Sequence, residues 1–282
     1  KDSLQFSVAQ IIKVTGIIRA TDSYGPVPYS TISSGTFTPA YDSQADIYYS
    51  AFIDLVKARD LLFKFGGAAG TPLKQYDLIY EGDYLKWAKY ANSLILRLAM
   101  RIVYVDPAKA KQYAEEAVNN PAGLIKDPTE SAIHSLKPGN GAFNYNNPLL
   151  TLTENYMETR AGASMQSILS GYKDPRLNVY FINSTVPGHT SEVIGVRSGI
   201  NVTRSLYQPF SQLKVSSTTP LPWLQSSEVY FLLSEGALRG WNMKGNAKDY
   251  YESGIRNSLQ KTRYLCRQII CRIIFPDRQI IL

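Results

Sequence analysis

Asp77–Val103 reads DLIYEGDYLKWAKYANSLILRLAMRIV, and in this stretch periodicity, capping and length agree on a long, deeply buried helix. Apolar or small residues fall at Tyr84, Trp87, Ala88, Ala91, Leu94, Ile95, Leu98 and Ile102. This is the i, i+3, i+4, i+7 series that lays one continuous stripe along one face. Asp83, directly after Gly82, is placed to accept the free amide hydrogens of the first turn. Asp106-Pro107 stops the helix, because the residue before a proline is pushed out of the helical region. The spacing predicts a helix from about Asp83 to about Val105, and a stripe of that length needs packing partners.

The partners are legible on both sides. Leu4 to Thr21 has helical spacing at Leu4, Val8, Ile11, Ile12, Thr15 and Ile18. A second helix, capped by Ser43 or Asp42 and ended by GGAAGTP after Phe65, places Ile47, Tyr48, Ala51, Leu55, Ala58 and Leu62 on one face. Asp42 and Asp46 form a carboxylate pair by spacing, which fits capping and the helix dipole better than chemistry. Asp106 caps an alanine-rich helix with Pro107 at its first position, ended at Asn119-Asn120-Pro121. Asn147-Pro148 opens a further helix, expected to run to about Leu169 and to carry Glu154 and Glu158 at i, i+4. After a stretch of loops with room for one hairpin, a helix ending at Gly240 buries Val229, Leu232, Leu233 and Leu238, and another runs from Ala247 to about Leu259. WAKYANSLILRLAM faintly echoes the tetratricopeptide consensus, but no strict 34-residue period recurs, so helix pairs are expected and a regular solenoid is not.

Three strings together resemble one family: GDYLKWAKYANSLILRLAMRI in the central helix, YDSQADIYYSAFIDLVKARDLL before it and LPWLQSSEVYFLLSEGALRGW after it. RATDSYGPVPYS and the DPRL of Asp174 to Leu177 add to the likeness, which covers most of Ala9 to Leu259. The chain resembles the SusD-like (SusD/RagB) family of Bacteroidetes outer-membrane lipoproteins. The resemblance implies a mostly α fold of degenerate tetratricopeptide-type helix pairs carrying an irregular, loop-rich layer. It also implies a noncatalytic protein that binds oligo- or polysaccharides at the cell surface and delivers them to a SusC-like TonB-dependent outer-membrane transporter. It would place a signal peptide and an acylated cysteine upstream of Lys1, so the lipid anchor to the outer membrane is expected outside these 282 residues. Residues 1–260 are then an incomplete SusD-like helical domain. Within it, Glu228 and Glu235 would be scaffold residues.

Charge does not point to nucleic acid. The formal net charge is +7, but Lys261, Arg263, Arg267, Arg272 and Arg278 against Asp277 give the last 22 residues +4 and leave +3 for the rest. No basic cluster interleaves with aromatics. Both cysteines, Cys266 and Cys271, lie in that same tail. A cysteine-free body fits an exported bacterial protein and many cytosolic ones alike. The tail itself, KTRYLCRQIICRIIFPDRQIIL, has none of the patterning of the body. We read residues 261–282 as atypical, either frame-altered after about Gln260 or a basic amphipathic segment. There is no run of 18 apolar residues.

Twenty tyrosines, ten phenylalanines and three tryptophans supply rings for a core and for sugar stacking. The loop PGNGAFNYNNP cannot be a helix. Asparagine amides can pair with sugar hydroxyls while an aromatic face lies against the apolar side of a pyranose. Asn140, Phe143, Asn144, Tyr145 and Asn147 are therefore the candidate ligand-binding residues. The competing reading is a turn whose asparagines bond their own backbone.

No catalytic constellation stands out. His134 and His189 are the only histidines, and neither has a metal-ligand partner at the usual spacing, so no metal or other cofactor is expected. There is no GxSxG, GxGxxG or GxxxxGK[ST] motif. Adjacent Glu115 and Glu116 would point about 100° apart on a helix, a poor arrangement for sharing one glycosidic bond. The alternatives to a glycan binder are a helical-repeat adaptor for peptide or protein partners and a carboxylate-dependent glycosidase.

Overall fold

Asp83 accepts from the backbone amides of Leu85 and Lys86 at 3.0 and 3.1 Å and so starts the central helix at the predicted residue. The computed structural model describes residues 2–32, 35–135, 147–201 and 203–260. Asn140, Phe143, Asn144 and Tyr145, and the tail 261–282, lie outside the described residues. The chain forms two units, one of Lys1–Ile133 with Pro222–Ser258 and one built on His134–Leu221.

In the first unit, α1 (Asp2–Tyr24), α2 (Gln44–Phe65), α3 (Tyr84–Arg101) and α4 (Pro107–Asn119) pack consecutively, α1 on α2, α2 on α3 and α3 on α4. The predicted stripe of α3 is buried throughout its length, and Tyr90, Leu96 and Ala99 on other faces are also fully buried. A helix buried nearly all round is the centre of its unit and not a surface element. It ends at Arg101 rather than near Val105. Residues 102–105 form a turn in which Asp106 N donates to Ile102 O at 2.8 Å, because Asp106 must turn out of the helix to cap α4 through Lys109 N at 3.1 Å.

The entry to α3 depends on one carboxylate. Asp77 accepts from Ile79 N, Tyr80 N and Gly82 N, and from the Trp87 indole at 2.7 Å. This network holds Glu81 and Gly82 at φ of 53° and 80°, and a Cβ on Gly82 would lie 2.9 Å from Lys74 N. The residue there has to be glycine on both counts. Tyr80, Trp87 and Tyr90 then meet edge to face, with the Tyr80–Trp87 centroids 5.3 Å apart.

Ser43, not Asp42, caps α2 by accepting from Asp46 N. Asp42 instead accepts from Tyr29 N, Ser30 N and Ser30 Oγ, fixing the chain that follows the Gly25-Pro26 turn. These bonds, that of the Ser30 hydroxyl foremost, hold the Asp42 carboxyl below its ordinary range.

After α4, strand β1 (Ala132–His134) pairs with β2 (Leu221–Leu224). Beyond β2, α9 (Ser226–Leu238) packs on α3 through Val229 and Leu233, both fully buried. Leu238, expected inside, is 77% exposed. It falls in the last turn of the helix, beyond the reach of the face that contacts α3. α10 (Ala247–Gln260) follows.

The second unit is short elements and loops: α5 (Pro148–Leu150), continuing as a wide turn Thr151–Asn155, then α6 (Ala163–Gly171), α7 (Leu177–Tyr180) and α8 (Arg204–Tyr207). The single helix expected from Pro148 to about Leu169 is thus two. Met157 at φ 55° breaks it, and Gly162 restarts it as the N-cap of α6. Asp174 bonds Arg176 through both the backbone amide and the guanidinium, so the DPRL segment is a local clasp. The unit's small core is Ala161, Leu169, Phe181 and Val193. Where the sequence left room for a hairpin, the described residues form isolated bridges, Gly162 with Val196 and Phe181 with Leu213.

Candidate functional site

Of the five residues proposed from the loop, Asn147 is the one described. It is 1% exposed. Its amide nitrogen donates to Thr219 O at 2.8 Å and its Oδ1 accepts from Leu149 N at 2.9 Å, capping α5 while its backbone amide donates to Ser217 O. Both ends of the side chain are engaged, so Asn147 ties the start of α5 to the Ser217–Thr219 segment.

The described part of the second unit contains a shallow pocket of about 340 Å³ edged by Glu158, Arg160, Arg197, Ser198, Ile200 and Tyr207. Its floor is built by Arg160, whose guanidinium donates to the carbonyls of Met157, Thr159, Tyr207 and Gln208. With four of its five donors turned to backbone carbonyls, Arg160 ties residues 157–160 to 207–208 and sits over the Tyr207 ring at 5.7 Å. Burial holds its pKa below the ordinary arginine value. Glu158, Arg197 and Ser198 are exposed and line the same pocket. They provide one acceptor carboxylate, one guanidinium and one hydroxyl around a cavity near the lower end of the usual size range for small-molecule sites. Tyr156, Tyr172 and Tyr180 are exposed rings elsewhere in this unit, at 56%, 78% and 41%. Sequence patterning missed the pocket because its residues come from segments without periodicity.

The first unit carries a deeper cleft, about 530 Å³, between one face of α1, the Leu94–Arg101 face of α3 and the start of α9. Arg97 makes a two-pronged pair with Glu228 at 2.6 and 2.7 Å and also donates to Trp223 O at 2.9 Å. This gives Glu228 the scaffold role the resemblance implied. Arg101 pairs with Asp22 at 2.6 Å, and the Tyr48 hydroxyl donates to the same carboxylate at 2.6 Å. Burial, then that hydrogen bond, pushes the Tyr48 phenol up to about 12, so it stays protonated in any physiological medium.

The carboxylate pairs noted in the sequence separate. Glu116 binds the buried Arg59 at 2.8 Å, whereas Glu115 accepts from Asn242 N. Glu154 lies in the wide turn and Glu158 beyond the break at Met157, so the two do not share a helical face. His189 lies 3.2 Å from Glu192, both exposed. Among the described residues no three His, Cys, Asp or Glu side chains are grouped to hold a metal ion, and no helix is long and apolar enough to cross a membrane.

Comparison with known proteins bears on both units. The profile of the SusD-like family, described as Susd and RagB outer membrane lipoprotein, matches residues 1–265. A chitin-binding SusD homologue from Flavobacterium johnsoniae is 37% identical with a TM-score of 0.83, over 92% of this chain and 53% of that one. SusD homologues from Bacteroides uniformis and Bacteroides vulgatus are 38% and 34% identical, with TM-scores of 0.81 and 0.82. They cover 91% and 92% of this chain and each is covered over 52% of its own length. Among curated proteins no sequence matches. The chain therefore spans about half the length of the solved proteins it resembles, and it belongs to the SusD-like family of outer membrane lipoproteins.

Proposed function

We propose that this chain takes part in noncatalytic capture of oligo- or polysaccharides at the outer surface of the cell, for delivery to a SusC-like TonB-dependent transporter. The observation that carries the reading is the likeness to a chitin-binding SusD homologue at 37% identity. The loop-rich unit supplies the chemistry such a role needs. Tyr207 is a ring beside a guanidinium, a carboxylate and a hydroxyl, in a pocket of pyranose scale. The loop ending at the buried Asn147 adds Phe143, Tyr145 and the amides of Asn140 and Asn144 as candidate contacts. Each sugar contact is weak, and several engaged together would supply useful affinity. Helix pairs of the first unit would serve as the scaffold.

Affinity electrophoresis in gels containing soluble polysaccharides tests the assignment with two variants, Tyr145→Ala and Tyr207→Ala. Retardation of the parent chain in at least one polysaccharide, reduced in either variant, is the expected result. Retardation that neither substitution alters would move the site out of this unit.

A further inference from the structure

α1 carries a glycine that packing does not call for. Gly16 is in mid-helix, and a Cβ built on it meets no atom within 4 Å, although glycine there weakens a helix relative to alanine. It does, however, line the cleft of the first unit, and any side chain at this position would project into that space. Ile12, Gly16, Arg19 and Asp22 follow one another along the same face of α1 and all border the cleft.

The charges of the cleft do not balance. Three guanidinium groups, of Arg19, Arg97 and Arg101, face two carboxylates, of Asp22 and Glu228. Glu228 is taken by Arg97 and Asp22 by Arg101. Arg19 is exposed and has no ion pair among the described residues, so the cleft holds one positive charge in excess. Beside it lie Ile12, 43% exposed, and the partly buried Trp223, an apolar flank of the kind a sugar ring can lie against.

We propose that this cleft is a second binding site, for a saccharide carrying a carboxylate, that is, a uronic acid residue. The carboxylate meets Arg19, while the ring occupies the space that Gly16 leaves and lies along Ile12 and Trp223. The saccharide class rests on the function proposed above; the charge and the place rest on the cleft alone.

Titration calorimetry on the full chain with trigalacturonic acid, neutral galactotriose and acetate tests the proposal, using Arg19→Gln and Gly16→Leu. A charge-assisted hydrogen bond predicts about tenfold tighter binding of trigalacturonic acid than of galactotriose. Arg19→Gln should erase that preference. Gly16→Leu should abolish binding of the acid without lowering the thermal midpoint, since leucine favours helix and nothing stands in its way. Equal affinity for the acidic and neutral trisaccharides, or acid binding that survives Gly16→Leu, overturns the proposal. Acetate binding as tight as that of the acid overturns the saccharide class. Neutral glycans bound through Tyr145 or Tyr207 with no acid bound at the cleft would remove this site alone. Acid bound at the cleft with no glycan affected by those two positions would remove the loop site alone.

Discussion

Arg59 and Asn92 meet at the centre of the first unit, the guanidinium donating to Asn92 Oδ1 at 3.0 Å with both residues at most 1% exposed. Asn92 spends its two amide hydrogens on Ala117 O and Gly123 O, each at 2.8 Å, and Arg59 reaches on to Glu116 and Asp60. One polar cluster thus joins α2 to α3, α4 and the turn after α4. Asn92→Ala should leave those carbonyls and one guanidinium hydrogen without partners, at a cost of about 3 kcal/mol. Urea denaturation should show the loss as a lower midpoint with unchanged slope; a change under 1 kcal/mol would mean that water replaces the amide without penalty.

Two glycines, alike on paper, should respond oppositely to alanine. Gly16→Ala meets open space and should stabilise the chain by about 0.5–1 kcal/mol through helix propensity alone. At Gly195 an added Cβ would lie 2.6 Å from Ala163 N and from Gly162 C, both backbone atoms that cannot rotate away. Gly195→Ala should therefore cost about 3 kcal/mol or more by parting the segments that meet at the start of α6. Thermal melts of the two variants check both signs, and a stabilised Gly195→Ala would show that this approach is looser than described.

Acid should loosen the first unit through identifiable groups. The carboxyls of Asp42 and Asp106 are both held below their ordinary range. At Asp42 the Ser30 hydroxyl is the main cause; at Asp106 it is the backbone amide of Lys109, then the Tyr49 hydroxyl. A carboxyl depressed in the folded state stabilises fully above its unfolded pKa of about 4, and that contribution fades as pH falls through the lower folded value. Melting temperature should therefore be flat from pH 7 to about pH 5 and fall below about pH 4. Asp42→Asn should flatten the acid limb; an acid limb of unchanged steepness would assign the loss to other carboxylates.

The helical half of this protein was legible because burial and periodicity are the same fact seen twice. Leu4, Val8, Ile11 and Ile18 on α1, and Ile47, Ala51, Leu55 and Leu62 on α2, are spaced for one face and are buried there, whereas Ile12, counted with the first set, lies past the edge of that face and is 43% exposed. Asp83 and Asp106 cap the helices they were expected to cap. What escaped notice depends on contacts far apart in sequence or on single backbone conformations. Nothing local marks Asp77 as the group that folds the turn before α3, and Met157, a residue that ordinarily continues a helix, breaks one at positive φ. The pockets were less legible still. Arg19 of α1 and Trp223 of β2 come together only because both elements border the same cleft on α3, and Arg160 reaches the Tyr207 carbonyl from 47 positions away, with α6 and α7 between them.

The central claim, capture without cleavage, is tested most directly by incubating the purified chain with a broad panel of glycans, chitin oligosaccharides included, and measuring both retention and new reducing ends. Selective retention of at least one glycan with no reducing ends released above the buffer control is the predicted result. Release of reducing ends that scales with protein concentration, and survives repurification, would contradict the account and make the chain a glycosidase.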